Sequence, residues 1–223
     1  MKILIHACPQ RMWYVNDFLV PMLREQGADN IEIWNDVEHK GNLKSCMDSF
    51  AARTRNGGTW HIQDDVLPCR DFVKRCEEND DGLVYGFCCR NFNDRPDAAG
   101  EVYVPDAWNS FQCVRIPDAW ARDCASWVRS GAWKSESLYA ELPILAKVNK
   151  GDDTFFHEYM ICHHPYETAL NLKPNLVEHV DWLIGGSALH WRDYIARAEF
   201  FDDQYLVDEL AERIKRYKAQ IIN

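Results

Sequence analysis

The sequence predicts a single α/β domain with a mainly parallel sheet flanked by helices. Residues 2–8 form a short apolar run typical of a buried strand, and residues 31–36 alternate apolar and polar side chains, as a half-exposed strand does. Between these two segments, apolar residues recur at the spacing of one helix face: Val15, Phe18, Leu19, Met22 and Leu23. A strand, a helix and a second strand in this order predict a βαβ unit, and therefore parallel pairing with a right-handed crossover.

The composition is that of a folded protein of one domain. A chain of 223 residues, of which 47% are hydrophobic and 13% aromatic, can bury a large core. The formal net charge of -10 disfavours non-specific binding to nucleic acid. Residues 1–6 do not resemble a signal peptide, and no apolar run reaches the roughly 20 residues of a membrane helix. With nine scattered cysteines, we expect reduced thiols and a cytoplasmic location.

The remaining segments continue the alternation of strands and helices. Further strands are predicted at 60–63, 83–88 and 111–116, and further helices at 43–55, 71–78, 117–128, 137–148 and 203–221. Pro21 predicts a kink in the first helix or a late helix start near residues 16–17. The C-terminal helix is amphipathic, and its apolar stripe would either cover the core or pair with a second copy of the chain.

Two acidic segments follow predicted strands. Gln63-Asp64-Asp65 ends the strand at 60–63, and Asp36 ends the strand at 31–36. Ligands of open α/β sheets bind outside the carboxyl ends of the strands, so both segments lie at the expected functional edge. Carboxylate oxygens are the ligands that Mg²⁺ and Mn²⁺ prefer. The pattern therefore indicates a metal and nucleotide site, although a solvated Asp-Asp turn would give the same sequence.

Two later segments carry further acidic and imidazole groups. Asp152 and Asp153 follow a glycine at the start of a helical pattern, and His179 lies in Pro-Asn-Leu-Val-Glu-His-Val, with Ser187 beyond it. The order of these strands and motifs, over roughly residues 2 to 190, resembles that of the GT-A class of glycosyltransferases, which have a Rossmann-like fold and use nucleotide sugars. Each motif by itself is degenerate, and the resemblance rests on their order and spacing.

The resemblance implies roles for the acidic motif after the third strand. In such enzymes the last acid binds a divalent cation, Mn²⁺ or Mg²⁺, held by the nucleotide diphosphate, and this position is Asp65 here. Asp64 would support the donor or the metal, and His179 would complete the metal shell. Gln63 stands where the class often has an acid, so an amide would make the contact to ribose or sugar here. The alternative for His179 is a buried histidine of the core.

The resemblance also implies a base and a nucleotide pocket. Asp153 or Asp152 would take the proton of the acceptor hydroxyl, and attack opposite the leaving group would then invert the sugar. A helix-capping role is the alternative for this pair, and without a base a retaining route stays open. Asp36 would contact the uracil or ribose, with Ala7 and Cys8 lining the same pocket, or would serve only as a turn residue.

We therefore expect a metal-dependent hexosyl- or N-acetylhexosaminyl-transferase that uses a UDP-sugar donor. Its acceptor hydroxyl would belong to a glycan, a protein, a small molecule or a hydroxylated DNA base. One alternative is a phosphohydrolase or nucleotidyltransferase with two cations bound by Asp64-Asp65 and Asp152-Asp153. Another is a nucleotide-binding domain without catalysis. The sequence leaves the oligomeric state open.

Other common site motifs are missing from the sequence. It contains no G-x-x-x-x-G-K-[ST] or G-x-G-x-x-G segment, which argues against P-loop and dinucleotide sites. Cys162-His163-His164 and Cys88-Cys89 offer metal ligands, but without a Cys-x-x-Cys pair their spacing does not predict a structural zinc site. Trp108, in a polar region, would either pack against the fold or stack on a sugar or base.

Overall fold

The computed structural model describes residues 1–54, 56–87, 100–103, 111–136, 151–185 and 201–221, with the backbone alone at 101–103 and 221. The strands are β1 (Lys2–Ala7), β2 (Ile31–Asn35), β3 (Gly58–Gln63), β4 (Val66–Pro68), β5 (Leu83–Tyr85), β6 (Gly100–Tyr103), β7 (Cys113–Pro117), β8 (Thr168–Asn171) and β9 (Val177–His179). The helices are α1 (Met12–Tyr14), α2 (Val20–Glu25), α3 (Asn42–Ala51), α4 (Phe72–Glu78), α5 (Asp118–Ser130), α6 (Trp133–Glu136), α7 (Asp152–His163), α8 (Asp181–Ile184) and α9 (Gln204–Ile221). The predicted helix at 137–148, together with Cys88, Cys89, Trp108 and Ser187, lies outside the described residues.

The main sheet has 7 strands in the order β2-β1-β3-β7-β5-β8-β6. Parallel pairs join β1 to β2, β1 to β3 and β5 to β8. Strand β7 runs antiparallel to β3 and β5, and β6 runs antiparallel to β8. Five strands, β1, β2, β3, β5 and β8, therefore point in one direction, and the other two point in the opposite direction. This arrangement confirms the predicted α/β fold with a mainly parallel sheet and the predicted βαβ opening.

Two apolar cores lie on the two faces of this sheet. Ile3, Ile5 and Ile62 face the core that contains residues of α2, α4 and α9. Val114 and Ile116 belong to the other core, which contains residues of α3, α5 and α7. Because side chains alternate along a strand, His6 and His61 lie on this second face, where the ring of His61 contacts that of Phe50. Two polar rings are thus buried among apolar helices.

The first helical segment begins at Met12, earlier than the predicted late start near residues 16–17. It runs through α1, a π-helical turn at Val15–Leu19 and then α2. Pro21 has no N–H to donate to the preceding turn, so the irregularity it predicts takes the form of this wide turn. Gly27, with φ of 95°, follows the end of the segment in a conformation that glycine adopts without strain.

Helix α9 covers the first core. Its residues Val207, Leu210 and Ile214 are buried there, and Tyr217 stacks on Trp13 with ring centroids 5.4 Å apart. The apolar stripe of this helix is thereby packed within the chain itself. No helix among the described residues is long and apolar enough to cross a bilayer.

Gly86, which follows β5, fits between β7 and the segment before β9. A Cβ atom there would lie 2.7 Å from Cys113 Sγ and 2.8 Å from Leu176 Cδ1, both in the buried core. We expect Gly86→Ala to lower the free energy of unfolding by about 1–3 kcal/mol, because the packed neighbours must shift. Urea denaturation measures this change, and an unchanged midpoint and slope would contradict the packing described here.

Candidate functional site

Asp64 and Asp65 form the two-residue turn between β3 and β4, and both are buried. Strand β4 pairs antiparallel with β9, which places Val66 opposite His179. The backbone N–H of Val180 donates to the carbonyl oxygen of Asp65 at 2.8 Å. This pairing brings the two side chains together, with His179 Nε2 lying 3.2 Å from Asp65 Oδ2.

Arg11 joins the two carboxylates. It ends the 3₁₀ turn at Pro9–Arg11 that directly follows β1, and only 6% of it is exposed. Its Nη1 donates to Asp64 Oδ1 at 2.8 Å and also to Asp65 Oδ2, while its Nε donates to the carbonyl oxygen of Gly185 at 3.1 Å. The backbone N–H of Cys8 donates to Asp64 Oδ2 at 2.7 Å. The acidic turn is therefore held to the carboxyl end of β1.

The two carboxyl groups differ in their acidity. Burial raises the pKa of Asp64, and the neighbouring charge of Asp65 raises it further. Burial acts in the same direction on Asp65, but His179 and Arg11 outweigh it and hold the pKa of Asp65 below its usual range. The imidazole of His179 and the guanidinium of Arg11 therefore both stabilise the ionised form of Asp65.

Asp65 and His179 fit the ligand types of a divalent cation. Asp65 Oδ1 is buried and has no hydrogen-bond partner among the described residues. The other imidazole nitrogen, His179 Nδ1, lies 3.7 Å from Asp181 Oδ1, which is within ion-pair range but too long for a hydrogen bond. An unpartnered carboxylate oxygen beside an imidazole offers two ligand types that a divalent cation such as Mn²⁺ accepts.

The predicted nucleotide contacts have structural roles as well. Asp36 closes the turn after β2, where its carboxylate accepts hydrogen bonds from the backbone N–H groups of Lys40 and Gly41, each at 2.9 Å. Ala7 is 3% exposed and belongs to the first core, so its side chain faces the core. Gln63 ends β3 half-buried, next to Asp64 in the chain. The contacts of Asp36 are therefore those of a turn residue, which was the alternative interpretation of its place in the sequence.

Asp152 and Asp153 open α7, as the sequence predicted for a helix start. Asp153 Oδ1 accepts a hydrogen bond from the backbone N–H of Thr154 at 2.7 Å. Asp152 is 2% exposed, and its Oδ1 accepts a hydrogen bond from Asn42 Nδ2 at 2.7 Å. Burial, and then the charge of Asp153, raise the pKa of Asp152 to about 7. Asp152 and Asp153 therefore contact α3 and their own helix, whereas Asp65 contacts Arg11 and His179.

Sequence reasoning did not single out Arg11. The available signal is its position, four residues after the end of a buried strand at the functional edge. A charged side chain so close to the end of a central strand often turns toward that edge, and here it supplies the only guanidinium in contact with Asp64 and Asp65 among the described residues.

No protein-family model and no curated protein sequence matches the chain. Its fold is similar to that of TarS from S. aureus, residues 1–349, with a TM-score of 0.46 and 10% identity over 82% of this chain and 62% of that chain. It is also similar to a Bacillus anthracis protein named as a glucose-1-phosphate thymidylyltransferase, with a TM-score of 0.40 and 13% identity over 80% and 89% of the two chains. Likeness of this degree carries no argument about activity.

Proposed function

We propose that the protein transfers a sugar from a nucleotide-sugar donor, a UDP-sugar, to an acceptor hydroxyl at the site of Asp64, Asp65 and His179. The observation that carries this proposal is the 3.2 Å contact between Asp65 and His179, which joins two distant segments of the chain at the carboxyl end of β3. This edge is where open α/β sheets bind their ligands. The unpartnered oxygen of Asp65 adds a position for a cation there.

Asp65 and His179 would hold Mn²⁺ or Mg²⁺. When bound, such a cation supplies Lewis-acid stabilisation of the charge that develops on the leaving diphosphate. Asp64 fixes the turn through Cys8 and Arg11, so that the carboxylate of Asp65 keeps its orientation.

Asp153 is the proposed base. It is half-buried in the first turn of α7, and burial raises its pKa toward the range in which a carboxylate can accept a proton from a hydroxyl. Attack on the face opposite the leaving diphosphate would give an inverted product. Asp152, its buried neighbour, would serve as a positioning residue.

The nucleotide would lie along the carboxyl ends of β1 and β2. Asp36, Gln63 and the backbone of Ala7 and Cys8 surround these ends and would contact its base and ribose. The acceptor would be a glycan, a protein, a small molecule or a hydroxylated DNA base, and it would approach from the side of Asp153.

A thermal-shift panel with UDP, GDP, TDP and CMP, each with and without Mn²⁺, tests the donor site. We expect UDP with Mn²⁺ to raise the melting temperature most, by an amount that corresponds to about 2.7 kcal/mol at a ligand concentration of 100 times Kd. Asp65→Asn should lose this shift, while Asp29→Asn, at an exposed position, should keep it. No shift with any of the nucleotides would contradict the proposed donor site.

Turnover separates this function from its alternatives. Incubation with UDP-sugars and Mn²⁺, followed by mass analysis of the products, should show UDP release together with a glycosylated acceptor or free sugar. Release of phosphate or pyrophosphate without sugar transfer would favour a phosphohydrolase or nucleotidyltransferase. Nucleotide binding without turnover would favour a non-catalytic binding domain.

A further inference from the structure

A second group of potential metal ligands lies on the other face of the sheet. It consists of His6 from β1, Cys46 from α3, His61 from β3 and Asp152 from α7. One ligand atom from each of these side chains lies within 4.8 Å of the others, and all four residues are buried. Four separate elements therefore bring thiol, imidazole and carboxylate donor atoms close together. We call these four residues the inner cluster.

Two atoms of the inner cluster have unmet bonding capacity. His61 Nε2 and Asp152 Oδ2 are buried and have no hydrogen-bond partner among the described residues. Buried polar atoms without partners are unfavourable and uncommon. The carboxyl group of Asp152 is close enough to the Cys46 thiol to share a hydrogen bond with it, so the need for a further partner is clearest at His61 Nε2. A metal ion at the centre of the cluster would bond to both His61 Nε2 and Asp152 Oδ2. The surrounding contacts, such as His6 Nε2 to Ser45 Oγ at 3.0 Å, are compatible with small rotations of the rings.

The charges of the inner cluster balance a divalent cation. A Cys46 thiolate and an Asp152 carboxylate carry two negative charges, and two neutral imidazoles add none, so the loaded cluster would be neutral. Without a cation, burial raises the pKa of Cys46 well above its usual value and raises that of Asp152 to about 7. A metal reverses this preference, because ligand thiols and carboxyls bind it in their ionised forms.

We propose that the inner cluster is a four-coordinate site for a transition metal of the zinc class, bound by His6, Cys46, His61 and Asp152. Thiolate and imidazole ligands select zinc over Mg²⁺, which prefers oxygen ligands. Zinc ligands lie about 2.0–2.3 Å from the metal, so side-chain rotations must draw the four donor atoms closer together. Binding forms bonds from the metal to one sulfur, one oxygen and two nitrogen atoms. It releases to solvent the thiol proton of Cys46 and the proton of those Asp152 side chains that are protonated before binding.

The site would act as a structural clamp. It would tie α3 and the start of α7 to strands β1 and β3, and so would fix Asp153, the residue next to Asp152. Arg53 must adjust on loading, since its Nη2 lies 3.4 Å from His61 Nδ1 and the metal-bound ring carries its proton there. The carbonyl oxygen of Ile116, 3.4 Å from Arg53 Nη1, remains as a partner of this guanidinium.

Metal analysis and cobalt substitution of the full chain test the proposal. We expect about one zinc ion per chain after purification with zinc and removal of loosely bound metal. Reconstitution with Co²⁺ should give thiolate-to-metal charge-transfer absorption in the near ultraviolet and the strong visible bands of a four-coordinate ion. Chelation should lower the melting temperature, and added zinc should restore it. None of these measurements depends on turnover, so the result is separate from the fate of the proposed function.

Matched variants assign the ligands. Cys46→Ser should abolish the charge-transfer band and weaken zinc binding by at least about 10- to 100-fold, the loss seen when even a supporting residue of a metal site is removed. Cys124→Ser, a change at another buried cysteine of the same core, should keep the band and the affinity. Cys8→Ser and Asp65→Asn should also keep the band, because they alter the acidic turn at the other site.

Three results would overturn the proposal. These are the absence of stoichiometric metal and of a charge-transfer band in folded wild-type protein, an unchanged band in Cys46→Ser, and loss of the band in Cys8→Ser. Should Cys46→Ser fail to fold, the cobalt spectra of the wild type and of Cys8→Ser still decide the question.

Discussion

Arg11→Gln is expected to lower the free energy of unfolding by about 3–5 kcal/mol, because it leaves buried Asp64 without a counter-charge and buried Asp65 with His179 as its remaining partner. Arg11 contacts both Asp64 and Asp65, whose side chains are only 7% and 8% exposed. Glutamine keeps an N–H donor but removes the positive charge. Urea denaturation at neutral pH measures the change, and Arg24→Gln, at an exposed arginine of α2, is the matched control.

Two further measurements identify the cause of this loss. Adding Asp64→Asn to Arg11→Gln should recover part of the stability, since one unpaired charge is removed. Mn²⁺ should raise the melting temperature of Arg11→Gln more than that of the wild type, because a cation can take the place of the guanidinium between the acids. If Arg11→Gln unfolds like the wild type, or if Asp64→Asn lowers its stability further, the carboxylates are not paired through Arg11.

The part of the fold that local patterns determine could be predicted from the sequence. The βαβ opening follows from an apolar run, a helical stripe and an alternating segment, all within the first 36 residues. Strands β4 and β9 were not predicted, because each has three residues and no alternation can be read over that length. Their pairing joins Val66 to His179, and no local signal encodes contacts between such distant residues.

The candidate site could likewise be predicted from the sequence only in part. Asp64 and Asp65 could be placed at the functional edge because they follow a strand, and His179 was proposed only through a family resemblance. Their contact depends on the pairing of β4 with β9, which only the structure shows. The contact of Arg11 with Asp64 and Asp65 could be recognised only once the turn after β1 was known.

The inner cluster had no sequence signature at all. Each of its four ligands is the only one that its element contributes, so no spacing such as Cys-x-x-Cys links them. His61 lies in the apolar run before the acidic turn, where the alternation of β3 turns it to the face opposite Trp60 and Ile62. Ligands brought together by four different elements become visible only when the sheet and its helices are assembled.

Asp65→Asn is expected to lower the rate of sugar transfer by about 10²–10³-fold, the usual loss when one preorganised electrostatic contact to a transition state is removed. Asparagine preserves the shape of the side chain but removes the charge that faces His179 and a bound cation. Arg11 then pairs with Asp64 alone, one positive charge with one negative charge, so the fold should persist. Circular dichroism and the melting temperature check this point before any assay.

The dependence on metal distinguishes loss of the cation from a general disturbance of the site. Wild-type activity should rise with Mn²⁺ to saturation, whereas Asp65→Asn should need far more Mn²⁺ or show no response. Asp181→Asn should have a smaller effect, because Asp181 lies 3.7 Å from His179 Nδ1 and acts on the imidazole only through its charge. Activity that persists in Asp65→Asn both with and without Mn²⁺ would contradict the role of a bound cation. It would mean that the guanidinium of Arg11, which lies between Asp64 and Asp65 in the wild type, supplies the positive charge. The acidic turn would then serve to hold Arg11 in place.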